Sequence, residues 1–261
     1  MNNTVAVIQA RMGSTRLPGK VLRRILDRPV LDHLVERLSR VAEIDSIVIA
    51  TSNKEVDDQI AQFCSASSIP HSRGSENDVL DRFYQAALEL KARTVLRITG
   101  DCPLIDPDLV SQLVELYHSG NYDYCGIATG AGVANMGEIK RFPDGLDAEV
   151  MSMEILKTAW EEATALQHRE HVTPFIWQHP DRFHLGTLFS DEDLGHYRWT
   201  LDEAADFSLI NWIYSELYHK NPEFDYHDVV MLLKKNAEKL QDNNHLIGQE
   251  GYNDFWRNDD D

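Results

Sequence analysis

Residues 4–20 read TVAVIQARMGSTRLPGK, and they set the architecture that we expect for the whole chain. The first six, Thr4–Gln9, are mostly apolar and rich in β-branched side chains, which predicts a short buried strand. The glycines, proline and cationic residues that follow predict a loop at the carboxyl end of that strand. Loops in this position form the ligand site of an open α/β sheet. We therefore predict an α/β fold with a binding site directly after its first strand.

Strands and helices alternate along the first half of the chain. The predicted elements are a helix over 31–41, a strand over 46–51, a helix ending near 66, a helix over 78–91, a strand over 94–99 and a helix beginning at 107. Ser52 and Glu55 have the spacing of a helix capping box, and Asp106 precedes Pro107 as an N-cap does. This alternation is typical of a Rossmann-like, mostly parallel or mixed sheet with helices on both faces.

The alternation ends after a strand predicted over 122–127. We interpret residues 128–190 as an insertion or arm within a single domain of residues 1–248, and as a contact between the subunits of a homodimer. A returning strand over 196–201 and two closing helices complete the predicted domain. Residues 249–261 form an acidic tail that we expect to be loosely ordered.

The charge of the chain excludes several classes of protein. Its 261 residues include 43 Asp and Glu against 25 Lys and Arg, for a formal net charge of −18. Nucleic-acid binders and polybasic membrane proteins present positive surfaces, so this balance argues against both. Residues 1–10 lack the pattern of a signal peptide and no run approaches about 20 apolar residues, so we expect a cytoplasmic protein without a membrane segment. The three cysteines are far apart and predict neither a disulfide framework nor a zinc site.

Positive charge is nevertheless concentrated near the N-terminus, where residues 1–40 hold eight Arg or Lys and three Asp or Glu. In the loop after the first strand, glycines let backbone amides approach an anion, hydroxyls donate hydrogen bonds and cations balance phosphate charge. The residues of these three kinds are Gly13 and Gly19, Ser14 and Thr15, and Arg11, Arg16 and Lys20. We interpret the loop as a polyphosphate cradle. It is not a Walker loop, because five residues separate Gly13 from Gly19 and Val21 replaces the magnesium-binding hydroxyl.

Without that hydroxyl, a magnesium ion needs carboxylates from elsewhere in the chain. Asp101 directly follows the strand over 94–99, and Asp202 follows the strand predicted over 196–201. Such strand ends meet at one edge of a sheet, and Mg²⁺ in enzymes is held by one or two carboxylates together with phosphate oxygens. We therefore predict Asp101 and Asp202 as metal ligands, with a helix-capping role as the alternative for each.

Six segments of the chain resemble a known family. They are IQARMGSTRLPGK at 8–20, GSENDVLDR at 74–82, GDCPLID at 100–106, PDGLDAE at 143–149, EHVTP at 170–174 and RWTLD at 198–202. Together they resemble the cytidylyltransferase family of CMP-sugar synthetases, and in particular its branch named for a spore-coat polysaccharide protein. The resemblance implies a fold of the nucleotide-diphospho-sugar transferase type. It also implies Mg²⁺-dependent transfer of CMP from CTP to an acidic sugar or related acceptor, with release of pyrophosphate, for surface polysaccharide or glycan precursor synthesis.

The resemblance implies roles for single residues as well. The glycine loop would bind the triphosphate through Arg11, Gly13, Ser14, Thr15, Arg16 and Lys20. Catalytic roles would fall to Arg11, Lys20 and Asp101, and the metal would be held by Asp101 and Asp202. The cytosine and ribose would lie near Ser75, Asp78 and Arg82. The acceptor pocket would be bordered by Asp144, Asp147 and Glu149.

Some alternatives remain open at this point. The segment from His168 to His171 lacks the spacing of common zinc motifs, so we interpret it as packing, with contact of His171 or Arg169 to the acceptor as the alternative. The chain could instead be a nucleotide-sugar glycosyltransferase on a similar fold, or a cytidylyltransferase for a phosphate or phosphonate acceptor. Lys20, Asp101 and Asp202 together argue against a catalytically silent nucleotide-binding subunit.

Overall fold

The computed structural model describes residues 3–129 and 140–247. The strands are β1 Thr4–Gln9, β2 Arg24–Ile25, β3 Arg28–Pro29, β4 Ser46–Ser52, β5 His71–Gly74, β6 Thr94–Thr99, β7 Tyr124–Ile127, β8 Ala148–Ser152 and β9 Leu185–Leu188. The helices are α1 Val30–Leu38, α2 Asp58–Ala66, α3 Val79–Glu89, α4 Pro107–Ser119, α5 Met153–Glu162, α6 Leu166–His171, α7 Pro174–Trp177, α8 Ala204–Leu217 and α9 Tyr226–Lys235. The tail predicted over 249–261 and residues 130–139 of the predicted arm lie outside the described residues.

Seven strands form one sheet in the order β5-β4-β1-β6-β8-β7-β9. β8 runs antiparallel to both of its neighbours, and the other pairings in this sheet are parallel. β2 and β3 form a separate antiparallel hairpin. This order confirms the predicted mostly parallel, mixed sheet of Rossmann-like type. Since β1 lies between β4 and β6, the loop that follows β1 opens near the middle of the sheet's carboxyl edge.

β1 is buried on both faces of the sheet. Ala6 and Ile8 belong to one apolar cluster, which includes residues of α1, α4, α8 and α9. Val5 and Val7 belong to a second cluster, which includes residues of α3 and α5. Successive residues of a strand point to opposite faces, so a strand that is covered on both sides has a continuous apolar sequence. This is why the pattern over 4–9 predicted both ends of β1 correctly.

The predicted helix starts agree with the structure at one position and differ at another. Asp106 caps α4 and accepts hydrogen bonds from the amides of Asp108 and Leu109, both at 3.0 Å. The capping box predicted at Ser52 is wrong. Ser52 ends β4, and its hydroxyl donates to the buried carboxylate of Asp57. The hydroxyl also accepts the Lys54 amide at 3.1 Å, and Lys54 is extended, so the chain enters α2 through a 3-10 turn at Glu55–Asp57.

The described part of residues 128–190 contributes strands to the main sheet. β8 lies between β6 and β7, and β9 forms one edge. The interpretation of this segment as a contact between the subunits of a homodimer stays a prediction, and so does the domain boundary at 248.

The strand predicted over 196–201 is wrong. Its backbone forms a single isolated bridge, between Arg198 and Asp144, and otherwise runs as a loop. Tyr197, Trp199 and Leu201 are buried, so alternate residues of this segment face the core as they would in a strand. Side-chain burial, together with an ion network around Arg198, holds this segment in place instead of strand pairing.

The described residues include no helix that is long and apolar enough to cross a membrane. The expected cytoplasmic location stays a prediction.

Candidate active site

A cleft of about 280 Å³ opens at the carboxyl ends of β1 and β6. Its walls come from the loop after β1, the turn after β6, α3 and the end of α6, and Asp202 completes the lining. The prediction that a site would form directly after the first strand therefore agrees with the position of this cleft.

Two hydrogen bonds donated by backbone amides help to hold the loop after β1 in its conformation. Gly19 has a φ of 66°, in the region that favours glycine, and its amide donates to the Met12 carbonyl at 3.1 Å. The Met12 amide in turn donates to Asp57 Oδ1 at 2.7 Å. Asp57 is 1% exposed and also accepts the hydrogen bond from Ser52. The buried carboxylate of Asp57 therefore anchors the loop to the end of β4.

Asp57→Ala is expected to destabilise the protein by about 1–3 kcal/mol, because the Met12 amide and the Ser52 hydroxyl lose their acceptor. Urea-induced unfolding measures this change. Asp58→Ala is the matched control, since the neighbouring Asp58 carboxylate is 44% exposed and binds Arg73 at the surface. An equal loss of stability in both variants would contradict the anchoring role of Asp57.

Lys20 lies between two carboxylates at the floor of the cleft. Its Nζ donates to Asp101 Oδ2 at 2.6 Å and to Asp202 Oδ1 at 2.7 Å. Burial by itself lowers the pKa of Lys20, but the two carboxylates outweigh burial and raise the pKa above its usual value. Although burial alone would raise the pKa of Asp101, Lys20 holds it below its usual value. Lys20 and Asp101 are therefore both charged at neutral pH.

Asp101 reaches this position because the chain turns tightly after β6. The Gly100 amide donates to the carbonyl of Gln9 at 2.9 Å. A Cβ atom at Gly100 would lie only 2.7 Å from that carbonyl oxygen, so no larger residue fits there without a shift. The Leu201 amide donates to the Asp101 carbonyl at 2.8 Å, which brings Asp202 beside Asp101.

A buried ion network positions Asp202. The guanidinium of Arg198 binds both carboxylate oxygens of Asp206, at 3.0 and 3.1 Å, and reaches Asp202 Oδ2 at 3.3 Å. Asp206 also accepts the Asp202 amide at 3.0 Å and the side-chain amide of Asn243 at 2.9 Å. The backbone and the side chain of Asp202 are thus both held, which leaves its carboxylate directed at Lys20.

Other cations make the cleft positive within an acidic chain. Arg16 Nη2 lies 3.2 Å from Asp202 Oδ2, and the side chain of Arg11 is exposed at the cleft. Arg82 is 2% exposed, and its Nη1 donates to the Ser75 carbonyl at 2.6 Å. Within the described residues, Arg82 Nε is buried without a hydrogen-bond partner. Four Arg or Lys against three Asp or Glu line the cleft, which favours an anionic ligand.

The structure brings most of the predicted site residues together. From the glycine loop, the cleft is lined by Arg11, Gly13, Ser14, Thr15, Arg16 and Lys20. From other segments it is lined by Arg82, Asp101 and Asp202. Ser75 and Asp78 are not among the lining residues. The Ser75 hydroxyl accepts the Asp78 amide at 3.1 Å, and Asp78 caps α3 and pairs with Arg169 at 2.7 Å, so both have structural partners.

The three acids predicted to border an acceptor do not line the cleft either. Asp144 lies 3.5 Å from Arg198. Asp147 accepts the Gly145 amide at 2.8 Å and the hydroxyl of Thr129, and burial raises its pKa. Glu149, on β8, is bound by the buried side chains of Arg97, Tyr124 and Thr173. Their roles toward a ligand stay predictions.

Several residues of the cleft were not predicted as site residues. They are Gln9, Ala10, Val21, Val79, Thr99, Gly100 and Glu170, and His171 was named only as an alternative contact to the acceptor. Gln9 and Thr99 are the last residues of two adjacent strands, so their position could have been inferred from the sheet edge. Glu170 and His171 belong to the EHVTP segment, but α6 approaches the loop only through the tertiary fold.

The carboxylates of the cleft fit a magnesium ion that also binds phosphate. Within residues 3–129 and 140–247, no group of three or more His, Cys, Asp or Glu could hold a metal by itself. Asp101 and Asp202 nevertheless converge on one cation, the Lys20 ammonium. Two carboxylates are the number that Mg²⁺ uses when phosphate oxygens and water complete its shell. Asp101 and Asp202 would therefore be its protein ligands.

Comparison with known proteins gives consistent matches. A family model described as cytidylyltransferase matches residues 5–252. The spore coat polysaccharide biosynthesis protein SpsF of Bacillus subtilis is 34% identical over 245 residues, covering 91% of this chain and 97% of that protein. A 3-deoxy-manno-octulosonate cytidylyltransferase of Pelobacter propionicus is 34% identical over 115 residues, 43% of each chain. The structure of a cytidylyltransferase from Leptospira borgpetersenii serovar Hardjo-bovis aligns with a TM-score of 0.83 and 28% identity, covering 92% of this chain and 98% of that one.

Proposed function

The chain belongs to the cytidylyltransferase family and is a CTP-using nucleotidyltransferase, and from this premise we propose that it transfers CMP from CTP to an acidic sugar or related acceptor. Pyrophosphate is the leaving group and Mg²⁺ the cofactor. The product is a precursor of a surface polysaccharide or glycan. The similarity to SpsF supports the polysaccharide assignment, and the similarity to a 3-deoxy-manno-octulosonate enzyme supports an acidic acceptor.

The observation that carries this proposal is the Lys20 ammonium held between Asp101 and Asp202 at the base of the glycine loop. A triphosphate in this cleft meets positive charge from Arg11, Arg16 and Lys20. Mg²⁺ binds such carboxylates together with phosphate oxygens, and for it to bind here the Lys20 ammonium would move from between Asp101 and Asp202 toward the phosphates. The cleft thus combines cations for a triphosphate with carboxylates for its Mg²⁺ ion.

The chemistry needs little more than charge stabilisation and positioning. An acceptor oxygen attacks the α-phosphorus of CTP while the bond to pyrophosphate breaks, and negative charge grows on the leaving group. Cations at Arg11, Arg16 and Lys20 would stabilise that charge more strongly in the transition state than in the ground state. When bound, Mg²⁺ would neutralise a further part of it. No covalent intermediate on the protein is required.

Asp101→Asn is expected to raise the Mg²⁺ concentration that gives half-maximal turnover by about 10-fold or more, since a metal site loses one anionic ligand. The measurement is pyrophosphate release at saturating CTP over a series of MgCl₂ concentrations. Asp108→Asn, at an exposed position in the first turn of α4, serves as control. An Asp101→Asn variant with the Mg²⁺ requirement of the wild type would rule out Asp101 as a ligand.

The proposed function is tested by measuring pyrophosphate release from each of the four nucleoside triphosphates. The acceptors are a panel of acidic sugars, sugar phosphates and phosphonates. We expect release with CTP and an acidic sugar. Release with UTP or ATP alone would contradict the proposal that the nucleotide substrate carries cytosine. Turnover of a nucleotide diphosphosugar without pyrophosphate would instead identify a glycosyltransferase.

A further inference from the structure

The backbone is strained at Val172, directly after the end of α6. Val172 has φ 73° and ψ −58°, the geometry of the rare γ-turn with positive φ. The turn is closed by a hydrogen bond from the Thr173 amide to the His171 carbonyl at 2.9 Å. A β-branched residue at positive φ is a conformational outlier. Such strain persists only where the surroundings enforce it, and it is concentrated at functional sites.

The surroundings of Val172 do enforce this conformation. Its side chain is fully buried in the apolar cluster that includes residues of α3 and α5. The hydroxyl of the next residue, Thr173, donates to Glu149 Oε1 at 2.7 Å. Glu149 is bound in turn by Arg97 of β6 and by the hydroxyl of Tyr124. The strained turn is therefore tied to the central sheet.

The turn ends α6 at His171, which is where the helix meets the cleft. Glu170 and His171 line the same cleft as Lys20 and Asp101. A carboxylate complements neither a triphosphate nor an acidic sugar, whereas a neutral imidazole can accept the proton of a sugar hydroxyl. Of the two residues, His171 therefore suits contact with the second substrate.

Charged groups surround His171 on the elements packed against it. They are Arg97 on β6, Glu149 on β8, Glu170 on α6 and Arg11 on the glycine loop, and α3 adds Arg82 to the same cleft. Burial, followed by the charge of Arg97, lowers the pKa of His171, against the opposing effect of Glu170 and Glu149. The imidazole is therefore neutral at physiological pH, which is the state that accepts a proton.

We propose that His171 is the general base that activates the acceptor hydroxyl, an inference that rests on the proposed function. The hydroxyl proton passes to the imidazole as its oxygen forms a bond to the α-phosphorus of CTP. The bond between that phosphorus and pyrophosphate breaks, and pyrophosphate leaves with the electron pair. The imidazolium then returns its proton to solvent. Glu170 is exposed and, as a carboxylate, is a weaker base than an imidazole.

The experiment compares the pH dependence of wild type, His171→Gln and His168→Gln. His168 is a matched control, because it lies on the same helix, bonds to Gln178 at 2.7 Å and does not line the cleft. Pyrophosphate release is measured with CTP and two probe acceptors, 3-deoxy-manno-octulosonate and N-acetylneuraminate. For His171→Gln we expect a loss in kcat of about 10²- to 10⁴-fold, with CTP affinity unchanged. The wild-type profile should fall as the pH drops through the lowered pKa of His171, and this acidic limb should vanish in His171→Gln alone.

The outcomes separate the two proposals. A wild type that releases no pyrophosphate with these sugars or with any other acceptor of the panel overturns the proposed function, and the role of His171 with it. An active wild type whose His171→Gln variant keeps full kcat and the acidic limb overturns only the role of His171. An effect confined to the KM of the acceptor also overturns it. If His171→Gln fails to fold by circular dichroism, His171→Ala takes its place: rescue of its turnover by added imidazole supports the base, and absence of rescue contradicts it.

Discussion

Lys20→Ala is expected to lower turnover by about 10²- to 10³-fold, the loss typical of removing one preorganised donor from a site of developing charge. The Lys20 ammonium lies 2.6 and 2.7 Å from the carboxylates of Asp101 and Asp202 at the floor of the cleft, where it would meet the triphosphate. Its pKa is raised, which keeps it charged over the working pH range. The effect should appear in kcat at saturating CTP, measured as pyrophosphate release in single turnovers.

The fold should survive the Lys20→Ala change. The side chains of Asp101 and Asp202 remain 25% and 17% exposed, so water and Mg²⁺ can reach both carboxylates when the ammonium is gone. Lys157→Ala is the control, since Lys157 is 52% exposed and pairs with Glu161 at the surface. A folded Lys20→Ala variant with the turnover of Lys157→Ala would exclude a role for Lys20 in the chemistry.

Arg198→Met is expected to lower the free energy of unfolding by about 3–5 kcal/mol, since it leaves a carboxylate buried without its partner. The side chains of Arg198 and Asp206 are 1% and 0% exposed, and the guanidinium contacts both oxygens of Asp206. Methionine keeps most of the apolar stem of arginine, so the lower free energy of unfolding is due to the missing charge rather than to a cavity. Urea-induced unfolding measures it.

The same variant should also affect the site, because the guanidinium of Arg198 reaches Asp202 as well as Asp206. Lys220→Met is the control, since Lys220 is 73% exposed and pairs with Glu216 at the surface, where loss of the ion pair should change stability by less than about 1 kcal/mol. If both variants unfold at the same urea concentration, the ion network around Arg198 does not stabilise the fold as predicted.

Local patterns predicted much of the fold. Both ends of β1 and of β6 agree with their sequence patterns, because strands covered on two faces are mostly apolar and β-branched, although β6 also carries the buried Arg97. The cap at Asp106 was equally predictable, since it uses only the next three residues. The strand over 196–201 was not, because apolar alternation reports burial and says nothing about whether the backbone finds a pairing partner.

The sequence by itself determined the kind of site: a glycine loop with three cations after a buried strand predicts a bound polyphosphate, because all of its parts are adjacent along the chain. The tertiary structure alone decided which carboxylates join it. Asp101 and Asp202 meet Lys20 across 81 and 182 residues of sequence, whereas Asp144, Asp147 and Glu149 are held by other partners and do not line the cleft. The tertiary structure also places His171 in the cleft, at the end of α6, where a strained turn is tied to the central sheet. Contacts between residues distant in sequence depend on how the helices pack on the sheet, and no local pattern encodes that packing.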